Sequence, residues 1–131
     1  MEADLYEEGI EFSAMSDIII VAPSTTVKLI NRESAKVGRI HIDSLRLFVQ
    51  PGSEDLIYFS LHRDNHPIAP FDNVNGGFVT IAPIVAVNDI FPPGIFEIRA
   101  RNVSGVNIKC QAGWTGRILV QKNTFQARKF I

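Results

Sequence analysis

The chain has 131 residues, 46% hydrophobic and 21% charged, with nine Phe and a net charge of -1. That is enough chain for one domain with its own core, burying roughly two-thirds of its unfolded surface, and it excludes a disordered or collagen-like polymer. The balanced charge argues against nucleic acid as the partner, because sequence-independent binding needs a basic surplus to displace counterions, and one cysteine, Cys110, excludes an intrachain disulfide.

Met1–Ser16 carries Glu2, Asp4, Glu7, Glu8 and Glu11 and no base, interleaved with Leu5, Tyr6, Ile10 and Phe12. It lacks the apolar core of a signal peptide. The spacing predicts an N-terminal arm over residues 1–16, a β-sandwich domain over 17–122 and a C-terminal tail over 123–131. The tail region is basic, with Phe125, Arg128, Lys129 and Phe130. A solvated tail does not ordinarily carry such apolar residues, so the ends are expected to dock on the same subunit or a neighbour, and one or the other of them to pack against another polypeptide through Leu5, Tyr6, Ile10, Phe12, Phe125, Arg128, Lys129 and Phe130. The apolar run Ile18–Pro23 is too short to cross a bilayer, and no membrane is expected.

Short alternating or β-branched runs follow, closed by Pro, Gly, Asn or Asp, and no window shows helical periodicity. Strands are expected at Asp17–Val21, Thr25–Asn31, Gly38–Gln50, Asp55–His62, Phe78–Ala82, Ile84–Val87, Ile95–Asn102, Val106–Ala112 and Arg117–Lys122. All seven prolines lie between strands or at a break, where no ladder N–H is needed. Eight or nine short strands so punctuated predict an all-β, antiparallel β-sandwich. Within Gly38–Gln50, the apolar parity moves from Ile40 and Ile42 to Leu45, Leu47 and Val49, which places a β-bulge at Asp43-Ser44.

Val103-Ser104-Gly105 reads as a three-residue hairpin loop joining Ile95–Asn102 to Val106–Ala112. Asn102 then pairs with Val106, Ile98 and Cys110 become buried neighbours, and Gly105 takes positive φ. The same register sets Arg99 opposite Lys109, with Glu97 or a neighbour's acidic arm to relieve the repulsion. Asn102-Val103-Ser104 matches a glycosylation acceptor and is read as part of this turn.

His62-Arg63-Asp64-Asn65-His66 offers metal-ligand residue types at two-residue spacing. Arg-Asp-Asn is turn chemistry, however, and a turn destroys the common face, so no metal and no cofactor are expected. Cys110 alternates with core residues and reads as a small buried hydrophobe. Neither a nucleophile elbow, a metalloprotease helix motif nor a phosphate loop is present, and the chain reads as a non-enzyme. A hydrolase or enzyme-accessory reading would need His41, His62 and His66 to approach one another. Gly113-Trp114-Thr115-Gly116 reads as a turn in which Trp114 caps the core with its indole N–H on a carbonyl; the competing reading makes Trp114 an exposed glycan platform.

With Phe91-Pro92-Pro93-Gly94 and Gly113-Trp114-Thr115-Gly116 punctuating its strands, the chain resembles the small β-sandwich accessory proteins of viral particles, such as the cement or decoration proteins of tailed-phage capsids. The resemblance is architectural, covers roughly Asp17 to Lys122, and carries over no functional residue. It implies a jelly-roll-like sandwich, a homotrimer, a capsid or other virion protein as partner, and residence in the virion after synthesis in the host cytoplasm. The alternative is a glycan-binding module for host or surface recognition.

Overall fold

A computed structural model describes residues 6–33, 38–78 and 84–121. Over these residues the protein is an all-β sandwich of two packed sheets. The strands are β1 (Tyr6–Met15), β2 (Ile19–Val21), β3 (Thr26–Glu33), β4 (Gly38–Val49), β5 (Ile57–Arg63), β6 (His66–Pro67), β7 (Val74–Asn75), β8 (Gly77–Phe78), β9 (Ile84–Phe91), β10 (Ile95–Asn102) and β11 (Ile108–Gln121). Sheet A runs β1-β11-β4-β8, with β2 also on β11 and β9 also on β4. Sheet B runs β3-β10-β5-β6, with β7 also on β5. Pairing is antiparallel except for the two-residue β4/β8 contact.

Alternation decides which side chains fill the gap between the sheets. Leu45, Leu47 and Val49 on β4 and Ile108, Cys110, Ala112 and Trp114 on β11 meet Ile57, Phe59 and Leu61 on β5 and Phe96, Ile98 and Ala100 on β10, all buried. The expected irregularity in β4 is present. Ser44 pairs with Thr115 but Ile42 pairs with Gly116, so Asp43 is the extra residue. The bulge keeps Ile40 and Ile42 in the core on one side while Leu45 and Leu47 stay there on the other.

Gly113-Trp114-Thr115-Gly116 is not a turn. It lies inside β11, which joins the two separately expected strands Val106–Ala112 and Arg117–Lys122 into one. The glycines answer to crowding: a Cβ on Gly116 would strike the His41 carbonyl and the Phe12 ring, and one on Gly113 would lie 2.7 Å from the Met15 sulfur.

The expected hairpin is also absent. β10 pairs with β3 and β5 in sheet B, whereas β11 pairs with β1, β2 and β4 in sheet A. Residues 103–107 therefore carry the chain from one sheet to the other. Ile98 and Cys110 are both buried but on opposing sheets, and Arg99 does not face Lys109. Gly105 does not have positive φ, and a Cβ there would meet open space. The corner is held by Asn102, fully buried, instead. Its Nδ2 donates to the carbonyls of Val21 (2.9 Å) and Val106 (2.7 Å), and its Oδ1 accepts from the backbone N–H (2.8 Å) and the hydroxyl (2.7 Å) of Ser104. A short amide that satisfies its own backbone favours a corner over a continued ladder.

The N-terminal boundary needs correction too. Tyr6–Met15, expected to be part of an arm, is an edge strand paired along β11. Phe12 is buried in its own sandwich, edge-on to Trp114 at 5.9 Å between centroids, with the Arg32 guanidinium 4.6 Å from its ring.

Asn102→Ala should lower stability to chemical denaturation by about 2–4 kcal/mol, because it leaves buried backbone groups without partners, while Gly105→Ala should stay within about 0.5 kcal/mol of the parent. Phe12→Ala should cost about 3 kcal/mol, and deletion of residues 1–16 should abolish the cooperative thermal transition rather than leave a folded sandwich.

Candidate functional site

The outer faces of the two sheets carry different chemistry. On sheet A, register places Met15, Gly113, Arg46 and Ile84 in one row, Gln111 beside Phe48 in the next, and Ile20 beside Lys109 beyond it. Ile84 is 65% exposed, Ile18 62%, Ile20 59% and Met15 46%. Ile18, Phe48 and Pro51 line a mostly apolar cleft of about 130 Å³, with Lys109 and Gln111 at its edge. Gly113 leaves room for the Met15 side chain to lie across β11.

Further along the same face, His41 is buried between Asn88 and Arg117. Its Nε2 lies 2.9 Å from the Asn88 Oδ1 and its Nδ1 2.8 Å from an Arg117 Nη2 and 3.1 Å from an Asp43 oxygen. The Nε2 edge of the ring is thus paired with the Asn88 amide oxygen, and the Nδ1 edge faces both the Arg117 guanidinium and the Asp43 carboxylate.

On sheet B, the outward residues of β10 are Glu97, Arg99 and Arg101. Across the register, Arg99 lies between Lys28 of β3 and Ser60 of β5, Arg101 between Thr26 and Tyr58, and Glu97 beside His62. Glu97 is buried under two cations, Arg99 Nε at 3.2 Å and Lys28 Nζ at 3.3 Å. Burial alone would favour its neutral acid, but the hydrogen bonds and charges of Arg99 and Lys28 prevail and hold the carboxyl below its ordinary value. Burial, reinforced by the Arg99 charge, lowers the pKa of His62 and keeps the ring neutral at pH 7. Its Nε2 lies 2.8 Å from the Ser60 hydroxyl.

The turn at Asp64-Asn65 shapes this face. Both residues have positive φ, 50° and 67°, the signature of a type I′ hairpin between β5 and β6. Asn65 Oδ1 accepts from Arg99 Nη2 at 2.9 Å, and Asn73 Oδ1 from Arg101 Nη2 at 3.2 Å. Arg101 also lies 5.5 Å from the Tyr58 ring centroid. Thr26, Tyr58, Ser60, His62, Pro67, Asp72, Arg99 and Arg101 surround a concavity of about 340 Å³.

The residues singled out from the sequence fall elsewhere. Trp114 is buried, 1% exposed, and presents no face to a sugar; among the described residues its Nε1 has no hydrogen-bond partner, against the expected carbonyl. Phe12 is a core residue rather than an interface residue. Tyr6 and Ile10 lie on β1 by backbone, and their side chains, like Leu5, Phe125, Arg128, Lys129 and Phe130 entirely, lie outside the described residues. His41 belongs to sheet A and His62 and His66 to sheet B, and no group of three metal-ligating side chains gathers among the described residues. Cys110 is buried, and burial pushes its thiol up to about 12. The Glu97–Arg99 contact was legible as one candidate pairing. The partners from β3, β5 and the Asn65 and Asn73 turns were hidden by the expectation that β10 pairs with β11.

The chain matches no family model, and no curated protein or solved structure is significantly similar to it.

The charge on sheet B should set the acid limb of stability. Glu97, lowered in the folded chain, contributes stability present above its ordinary 4.5 and lost as pH falls through the folded value. His62, lowered from 6.5, loses its contribution as pH falls below 6.5 toward its folded value. Urea midpoints measured from pH 8 to pH 3 should therefore decline in two steps, and Glu97→Gln should flatten the lower step while reducing stability at pH 7.

Proposed function

We propose that the chain is a non-enzymatic structural protein of a virion, a capsid cement or decoration protein, and that it attaches through the outer face of sheet A. The observation that carries the reading is the exposed apolar surface of Met15, Ile18, Ile20 and Ile84 around Phe48. Water-exposed isoleucines grouped on one sheet face are costly unless a partner covers them. Burial of each such side chain is worth roughly 1.5–3 kcal/mol, and four of them offset a large part of the cost of association. Arg46 and Lys109 stand within this surface and favour a capsid protein with an apolar patch rimmed by carboxylates. A homotrimer is the assembly that the resemblance to cement proteins implies. A glycan-binding role through Trp114 finds no support, because its indole is buried.

The test is incorporation. Virions purified from cells that express the chain should contain it in regular stoichiometry by quantitative mass spectrometry. An Ile18→Lys/Ile20→Lys variant should keep the parent's circular dichroism and unfolding midpoint yet fall at least about tenfold in particles. A protein missing from purified particles, or a variant incorporated as well as the parent, overturns the proposal.

A further inference from the structure

Attachment by sheet A would turn the outer face of sheet B away from the particle, but the argument for a ligand there stands on its own residues. The concavity over β10 combines three kinds of group. Arg99 and Arg101 are fixed, one by Glu97 and Asn65 and the other by Asn73 and the Tyr58 ring, and each guanidinium keeps further N–H donors beyond those contacts. Ser60 and Thr26 supply hydroxyls that both donate and accept, and His62 Nε2, 2.8 Å from the Ser60 hydroxyl, holds that hydroxyl in place. Asp72 is a carboxylate acceptor on the same wall, and Tyr58 and Pro67 add apolar faces.

This mixture selects among anions. A phosphate dianion wants donors all round, and Asp72 opposes it. A neutral sugar uses hydroxyl-matching groups but gives the two guanidiniums nothing to pair with. A pyranose that carries a carboxylate answers both: the carboxylate meets a planar guanidinium, hydroxyls donate to Asp72 and exchange hydrogen bonds with Ser60 and Thr26, and the C–H face lies on Tyr58 or Pro67. A space of about 340 Å³ admits one such ring. We infer that the outer face of sheet B is a binding site for an acidic sugar, with Arg99 and Arg101 reading the carboxylate and Asp72, Ser60 and Thr26 reading the hydroxyls.

The experiment is a titration of the purified full chain, followed by calorimetry or nuclear magnetic resonance, with glucuronic, galacturonic and N-acetylneuraminic acids, and with glucose and inorganic phosphate as comparators. At least one sugar acid should bind with a Kd on the order of 1 mM, with glucose and phosphate at least about tenfold weaker. Arg99 also neutralises buried Glu97, so the diagnostic variant is Arg101→Gln, whose unfolding midpoint should be unchanged and whose affinity should drop about tenfold. Ser60→Ala gives a second readout that does not touch the charge, with a loss of several-fold. No sugar-acid binding up to about fifty times that Kd, phosphate or glucose binding as tightly as the sugar acids, or full affinity in Arg101→Gln and Ser60→Ala would each overturn the inference.

Discussion

The side chain of Asn102 decides which sheet each half of the C-terminal region joins. Its amide takes both hydrogen-bonding roles at once, donating to the Val21 and Val106 carbonyls and accepting from Ser104. A buried amide can be satisfied only where such a set converges, and here it converges only if the chain leaves sheet B at residue 102 and enters sheet A at Ile108. Were β10 and β11 neighbours in one ladder, Arg99 and Lys109 would share a face. Because they are not, Arg99 is free to sit between β3 and β5 and Lys109 joins the apolar surface of sheet A. The two chemically distinct faces of the protein are thus a consequence of one corner.

The charged layer on sheet B shows how a sheet surface tolerates clustered cations. Lys28, Arg99 and Arg101 occupy adjacent strands, an arrangement that repels in isolation. Glu97 lies beneath two of them, which share its Oε2, and two asparagine oxygens take up guanidinium donors without adding charge. Removing the acid alone would leave cations facing one another. Removing a cation would leave a buried carboxylate short of a partner. Glu97, Lys28 and Arg99 therefore constrain one another on this surface.

Much of the fold was legible from alternation. The bounds of β10 and the bulge at Asp43 followed from hydrophobic parity, because a burial requirement leaves a direct trace in residue order. The failures share a different cause. Val103-Ser104-Gly105 has turn chemistry compatible with a hairpin and with a crossing between sheets, and parity on either side is the same in both, since both strands bury alternate residues. Gly113 and Gly116 look like turn residues, yet they are set by the approach of Met15 and Phe12 from a strand about a hundred positions away. The acidic start of the chain suggested an arm because its strand partner, β11, was itself read as broken. For the polar concavity the sequence supplied only the middle row, Glu97, Arg99 and Arg101; its walls come from β3, β5 and β6 and from Asp72, whose order across the sheet no local pattern records.

The Asp64-Asn65 turn ties two requirements to one position. A left-handed backbone at residue 65 restricts the choice to Asn, Asp or Gly at little cost. Of these, Gly has no oxygen for Arg99, whereas Asn and Asp both present one, and a carboxylate is tolerated beside Lys28, Arg99 and Arg101. Chain reversal and the hold on Arg99 thus narrow the permitted alphabet at this site to two letters. Descendants of this sequence that drift freely elsewhere on the hairpin should keep Asn or Asp here for as long as Arg99 is retained.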